Sequence, residues 1–142
     1  LDIEKCFDRI NHQTILDKVI APKWVKARLR QCLNAGINPD YPEQGTPQGG
    51  VISPLLANLA LNGIESIHTS VRYADDMVFI LKPQDDEKQI QKQVELFLSE
   101  RGMNISQKKT KVTATQTGFD FLGWHCNVRD NGKFLSTPSK EN

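Results

Sequence analysis

Three aspartates set in apolar segments are the residues of this sequence best suited to chemistry. Asp2 lies between Leu1 and Ile3, and Asp75-Asp76 interrupts a second apolar stretch. Adjacent acids at a turn are usually solvated, but apolar strands on both sides would hold the carboxylates rigidly at the end of a buried sheet. Mg²⁺ binds oxygen ligands, commonly one or two carboxylates together with water and substrate phosphates. If the fold brings Asp2 beside the other two acids, the three would hold two ions for phosphoryl transfer, with Mn²⁺ as an alternative to Mg²⁺.

A glycine-rich loop at residues 45–50 (GTPQGG) precedes a predicted helix. Such a loop is able to present backbone N–H groups to a phosphate or to let a base pair approach closely. A flexible connector is the commoner role for this composition. The loop is not a P-loop, because no Lys-Ser or Lys-Thr follows at the required spacing.

The cysteines and histidines form no ligand pattern. Cys6, Cys32 and Cys126 are odd in number and widely spaced, so they predict reduced, packed thiols and neither a disulfide framework nor a zinc site. The three histidines lack metal-ligand spacing, and we interpret them as ordinary core or surface residues.

Charge is distributed unevenly along a chain whose net charge is only +1. Residues 1–36 sum to +3, residues 37–100 to −6 and residues 101–142 to +4. Basic flanks around an acidic middle suit a nucleic-acid groove that encloses a metal site, although solvated faces commonly carry such runs. The sequence lacks a membrane-spanning run and a signal peptide, so we expect a cytoplasmic protein with no membrane contact.

The order of secondary-structure signals predicts an α+β domain. The predicted elements are a strand at 1–3, helices at 11–20 and 24–35, a loop at 37–50, a helix at 54–63, a hairpin of 71–74 and 77–81, a helix at 85–101, strands at 112–114, 119–122 and 134–135, and a turn at Asn131-Gly132. This order fits a palm-like antiparallel sheet with helices packed on one face.

Five sequence blocks, taken in order, resemble the reverse transcriptases of group II introns. Residues 1–8 (LDIEKCFD) resemble polymerase motif A, 45–58 (GTPQGGVISPLLAN) motif B, 73–76 (YADD) motif C, 104–110 motif D, and 118–123 (GFDFLG) the primer grip. A lone YADD would be weak, whereas five blocks in the right order over nearly the whole chain are specific. The resemblance implies a polymerase palm.

The same resemblance implies roles for individual residues. Asp2, Asp75 and Asp76 would be the catalytic metal ligands. Phe7, five residues after the first acid, would be the steric gate that excludes a ribose 2′-OH, or it would pack in the core, or both. Lys109 would lie near the triphosphate and donate a proton to pyrophosphate, although a solvated lysine is equally consistent with the sequence.

Two further segments would bind the substrates. Gln48, together with Gly49, would form a nucleotide-binding site, with Gln48 over the incoming nucleotide or the templating pair. Phe121, Leu122 and Gly123 would position the primer 3′ end. The resemblance thus implies an RNA template or intron RNA, a DNA primer and deoxynucleoside triphosphates as partners.

The implied function is two-metal RNA-directed DNA polymerisation by a bacterial or organellar group II intron protein that also assists intron splicing and mobility. Two alternatives remain open: a maturase-like RNA-binding splicing factor that does not polymerise, and the reverse transcriptase of another bacterial retroelement.

The sequence also departs from the pattern of the family. We expect residues 1–142 to be a single palm fragment without fingers, thumb, maturase or endonuclease regions, and to be inactive by itself. The short connection at 66–70 suggests a natural deletion or an engineered excision.

Overall fold

The computed structural model describes residues 1–35, 39–47 and 49–140, and the chain divides into two compact units, 1–107 and 108–142. Helices and antiparallel strands occur together, as the α+β prediction requires. The expectation of one continuous sheet is wrong for the described residues, in which the strands form three small antiparallel sheets. Among those residues, no helix is both long enough and apolar enough to cross a bilayer.

The helices all belong to the first unit. They are α1 (Cys6–Arg9), α2 (His12–Lys18), α3 (Lys23–Leu33), α4 (Ser53–Leu61) and α5 (Glu87–Ser99), with a 3₁₀ turn at Ile64–Ser66. Asn11 begins α2 as predicted, because its side chain accepts hydrogen bonds from the backbone amides two and three residues ahead. Asp86 caps α5 in the same way.

The strands are short. They are β1 (Ile3–Glu4), β2 (Ser70–Tyr73), β3 (Asp76–Phe79), β4 (Asn104–Ile105), β5 (Phe119–Phe121), β6 (Trp124–Val128) and β7 (Phe134–Pro138). In the first unit β1 pairs with β4 and β2 with β3, whereas β5, β6 and β7 form a meander in the second. The predicted strand at 112–114 is wrong, since Val112 is exposed and no sheet includes this segment.

One hydrophobic core joins the elements of the first unit. It is formed by residues from β1, β3, β4 and all five helices, and Ile10, Ile15, Leu61, Val94 and Leu98 are fully buried in it. Burying one such side chain contributes about 1.5–3 kcal/mol relative to exposure. The core therefore fixes β1, α4 and the β2-β3 hairpin, which carry motifs A, B and C, against one another.

The hairpin is packed on one face only. Met77 is 2% exposed, whereas Val71, Tyr73 and Ile80 are all more than half exposed. The expectation that apolar strands on both sides hold the acids in a buried sheet is therefore wrong, because alternate residues of a strand point to opposite faces.

The cysteines differ in their surroundings. Cys6 is buried and Cys126 half-buried, but Cys32 is exposed on α3, so the prediction of packed thiols is wrong for Cys32. All three are free thiols, as predicted.

Candidate active site

Asp2 and Asp76 lie opposite each other on neighbouring backbone segments. The Leu1 nitrogen donates to the Met77 carbonyl at 2.8 Å, and the Met77 amide donates back to the Leu1 carbonyl at 3.0 Å. Directly opposed residues in an antiparallel pair have Cβ atoms about 4.5–5.5 Å apart. The fold therefore brings together acids that are 74 positions apart in the sequence.

The backbone of Asp2 is held on its other side as well. The Ser106 amide donates to the Asp2 carbonyl at 2.9 Å, and Ile3 pairs with Ile105 in the β1-β4 sheet. Asp2 thus lies between β3 and the start of motif D, with its backbone fixed by both.

The turn that carries motif C consists of Ala74 and Asp75, because Tyr73 pairs with Asp76. Ala74 has a φ of 54°, an uncommon conformation for a residue with a side chain. Asp75 is therefore a turn residue and Asp76 is the first residue of β3.

Arg72 braces this turn, and sequence reasoning missed it. Its guanidinium donates to the Ala74 carbonyl at 3.2 Å, to Asn58 Oδ1 on α4 at 2.8 Å and to Glu65 Oε1 at 2.6 Å. Desolvation raises the pKa of Glu65, but backbone hydrogen bonds and the ion pair with Arg72 together outweigh it, so the pKa lies below its usual value. An arginine inside an otherwise apolar strand was the available signal.

The three predicted ligands do not form a closed three-ligand group. Across residues 1–35, 39–47 and 49–140, no three His, Cys, Asp or Glu side chains are grouped closely enough to hold an ion. The Asp2–Asp76 pair nevertheless fits Mg²⁺, which needs only one or two carboxylates when waters and phosphates complete its shell. We therefore regard the donor set as suitable for a hard divalent ion.

The buried thiol of Cys6 lies within the field of these acids. Desolvation, followed by the charges of Asp75 and Asp2, raises the pKa of Cys6 to about 12, and its Sγ contacts Met103 Sδ at 3.8 Å. A thiol with that pKa is neutral at physiological pH, so Cys6 is a packing residue and not a nucleophile.

Phe7 packs against the core and also connects motif A to motif B. Its partly buried ring contacts the core cluster, and its carbonyl accepts the Thr46 amide at 2.6 Å. The core-packing role is therefore present, and the steric-gate role stays a prediction.

Both ends of the glycine-rich loop are hydrogen-bonded within the chain. The Gly45 amide donates to the Ile10 carbonyl at 2.8 Å, and the Gly50 amide to Pro47 at 3.1 Å. Buried His12 contacts the Gly45 carbonyl through Nε2 at 2.7 Å. The amides of Gly45, Thr46 and Gly50 therefore already donate to carbonyls of the chain. The interpretation that this loop presents its backbone N–H groups to a phosphate is wrong for these three amides.

The other predicted site residues are distributed between the two units. Gln48 lies outside the described residues, and its neighbour Gly49 is exposed with a φ of 78°. Lys109, also exposed, belongs to the second unit. Phe121 ends β5 there, and Leu122 and Gly123 form the turn to β6 with φ values of 52° and 79°. The roles of these residues stay predictions.

A polar cavity of about 360 Å³ lies beside α1. It is lined by Glu4, Lys5, Asp8, Arg9, Asp40, Tyr41 and Asn104. The Arg9 guanidinium lies 4.1 Å from the centre of the Tyr41 ring. The predicted metal ligands do not line this cavity.

Comparisons with known proteins agree with the motif order. The model of the family "Reverse transcriptase (RNA-dependent DNA polymerase)" matches residues 1–126. "Maturase-like protein 1" of Euglena gracilis is 38% identical over 138 residues, which is 96% of this chain and 30% of that protein. The protein of the same name from Euglena longa is 33% identical over 125 residues, covering 88% of this chain and 27% of the relative.

A bacterial intron protein is also similar. "Group II intron-encoded protein LtrA" of Lactococcus lactis subsp. cremoris is 36% identical over 72 residues, 45% of this chain and 12% of that protein. These matches confirm the resemblance to group II intron reverse transcriptases and maturases. The chain spans less than a third of the length of the two Euglena proteins.

The alignment with the E. gracilis protein is nearly continuous. It runs over 138 positions and covers 96% of the 142 residues, so that relative has almost no inserted residues within it. A natural protein therefore has a similarly short connection between motifs B and C, which favours a natural origin over an engineered excision.

Proposed function

The chain belongs to the reverse transcriptase family, and from that premise we propose that its parent protein is an RNA-directed DNA polymerase encoded within a group II intron, which also assists intron splicing and mobility. The observation that carries the proposal is the opposition of Asp2 and Asp76 beside the YADD turn. A protein that only bound RNA would gain nothing from acids facing a phosphate backbone, since like charges repel.

In this proposal Asp2, Asp75 and Asp76 would hold Mg²⁺, with Mn²⁺ able to substitute. Bound ions would lower the pKa of the primer 3′-hydroxyl and neutralise charge on the leaving pyrophosphate. The backbone bonds on both sides of Asp2 and the Arg72 brace on the turn would keep the carboxylates in place, so that little reorganisation is needed when substrate binds.

The remaining roles concern orientation and selection. Phe7 would exclude the ribose 2′-OH, and Gln48 and Gly49 would contact the nucleotide. Lys109 would donate a proton to pyrophosphate, and Phe121, Leu122 and Gly123 would position the primer end. The substrates would be an RNA template, a DNA primer and deoxynucleoside triphosphates.

A maturase-like splicing factor is the second candidate. The names of the two Euglena relatives and the lack of a closed three-ligand group among the described residues favour it. In that case the palm would serve as an RNA-binding scaffold, and the acids would not be needed for the function of the protein.

Primer extension by the full-length parent distinguishes the two candidates. We expect Asp2→Asn and Asp76→Asn each to reduce extension on an RNA template by at least about a thousandfold, because each removes a metal ligand. Asp130→Asn, which removes an exposed turn acid, should extend normally. A parent that binds intron RNA and promotes splicing equally well with and without Asp2 and Asp76, but never extends a primer, would support the splicing-factor candidate instead.

A further inference from the structure

Helix α3 carries a dense positive charge with no acid near it in the sequence. The segment from 18 to 39 contains five Lys or Arg residues and no Asp or Glu. The exposed residues of α3 include Lys23, Arg28 and Arg30. Trp24 lies among them and is 71% exposed, which is unusual for so large an apolar side chain.

The helix separates these residues cleanly from its packing face. Leu33 is 2% exposed, Leu29 packs against the core, and Val25 lies on the same row at intervals of four residues. The opposite side is exposed and holds the cations and Trp24, with the small residue Ala27 between them. We call Lys23, Trp24, Arg28 and Arg30 the α3 basic face.

Trp24 and Arg28 are four residues apart and so are neighbours on the helix surface. Lys23 and Arg30 are seven apart and share a row on the other side of Ala27. A ligand that lies along Ala27 would therefore meet cations on both sides and an indole at one end. This geometry suits an extended polyanion that also has flat rings.

Several of the positive charges are unfavourable for α3, although the helix dipole favours Arg30 in the last turn. Lys23 lies in the first turn, which has no acid, where the helix dipole disfavours cations. Lys26 and Arg30 are like charges four residues apart, which destabilises a helix. The ion pairs found in the described part of the chain include none on α3, and Arg28 instead contacts the neutral Gln31 at 3.2 Å. An anionic partner would relieve this repulsion.

We propose that the α3 basic face binds single-stranded RNA, with phosphates on Lys23, Arg28 and Arg30 and one base stacked on Trp24. Basic side chains along a strand together with an aromatic platform are the combination that recognises single-stranded nucleic acid. The choice of RNA over another polyanion rests on the proposed function. The α3 basic face includes none of the candidate catalytic acids, so in this proposal it would hold RNA without taking part in the reaction.

The test compares RNA binding by this chain and two triple variants of equal charge change. K23Q/R28Q/R30Q removes the cations of the α3 basic face, and K82Q/K88Q/K92Q removes three exposed lysines in or just before α5. Fluorescence anisotropy with a labelled single-stranded RNA is measured over a range of salt concentrations. Three lost phosphate contacts should lower the slope of log affinity against log salt by about 2, since each contributes about 0.7 on single strands. The control variant should keep the original slope.

Substitution of Trp24 tests stacking separately from charge. Trp24→Ala should weaken RNA binding about 5- to 100-fold, whereas Trp24→Phe should retain most of the affinity. Melting temperatures of all variants establish that each is folded. Alkylation of the exposed Cys32 thiol, at the edge of the face, should be slowed by bound RNA.

Several outcomes would overturn the inference. These are an equal loss of affinity in both triple variants, unchanged affinity in Trp24→Ala, and binding of the face to phosphatidylserine vesicles or acidic peptides in preference to RNA. The RNA-binding measurement does not depend on whether the parent protein polymerises DNA. A parent that never extends a primer but loses RNA affinity with the α3 variants would contradict only the polymerase proposal.

Discussion

Phe7 has two structural roles, one of its ring and one of its backbone, and a substitution affects only the first. Its ring packs on the core, and its carbonyl accepts the Thr46 amide, which attaches motif B to motif A. A substitution at Phe7 removes the ring and leaves the backbone bond in place. The position of the glycine-rich loop should therefore survive the change.

We predict that Phe7→Ala in the full-length parent raises incorporation of ribonucleotides relative to deoxynucleotides by about tenfold or more, because the ring would no longer exclude the 2′-OH. The ratio of kcat/KM for the two sugars measures the effect. Phe97→Ala, which removes another partly buried ring of the same core on α5, is the matched control. Sugar discrimination that stays the same in Phe7→Ala, or falls equally in the control, would leave Phe7 with a packing role only.

For single residues, the sequence identified candidate site residues better than it identified the hydrogen-bond partners of a side chain. The three acids could be named from their residue type and setting, since hard metal ions bind carboxylates, whereas Phe7 was named only through the resemblance to the family. Arg72 could not, because its bonds to Ala74 and Asn58 depend on how α4 approaches the hairpin.

The loop of motif B requires a glycine at position 45. Gly45 has a φ of 93°, and a Cβ there would lie 3.0 Å from the Asp8 carbonyl oxygen. Gly63 has a φ of 104°, but its Cβ would meet only Phe97 at 3.7 Å, an ordinary contact. At both positions the positive φ disfavours a residue with a side chain. Of the two, Gly45 also lacks space for a Cβ, because the backbone of Asp8 occupies it.

We therefore predict that Gly45→Ala lowers the free energy of unfolding by about 2–4 kcal/mol and Gly63→Ala by about 1–2 kcal/mol. Urea denaturation of the 142-residue chain measures both, and their difference isolates the clash with Asp8. Equal losses in the two variants would mean that Asp8 moves away without cost.

Elements with strong local signals were predictable, and those that depend on pairing were not. Helix α5 has apolar residues at helical spacing and an Asp cap, so its position followed from the sequence. The strand predicted at 112–114 has both of its apolar residues, Val112 and Ala114, exposed, and strand β6 was missed because its alternation is weak. The β1-β4 sheet pairs Ile3 with Ile105, which are 102 positions apart, and local patterns do not encode such a pairing.

The whole chain combines the three candidate acids with a low net positive charge. Its net charge is +1, and the acidic stretch at 37–100 includes Asp75 and Asp76. Few phosphate contacts mean weak and salt-sensitive binding of template and primer. The two Euglena relatives are more than three times longer, so most of their length has no counterpart in these residues.

We predict that the 142 residues alone give little product in primer extension with an RNA template, Mg²⁺ and deoxynucleotides. Phosphoryl transfer depends on holding the triphosphate, template and primer in line, and positioning of this kind contributes about 7–11 kcal/mol to lowering a barrier. A chain that positions the acids but not the substrates should lose most of that contribution. The full-length parent should extend well, and its Asp75→Ala/Asp76→Ala variant should not extend at all. Processive extension by the 142 residues alone would show that they position the substrates without the rest of the parent protein.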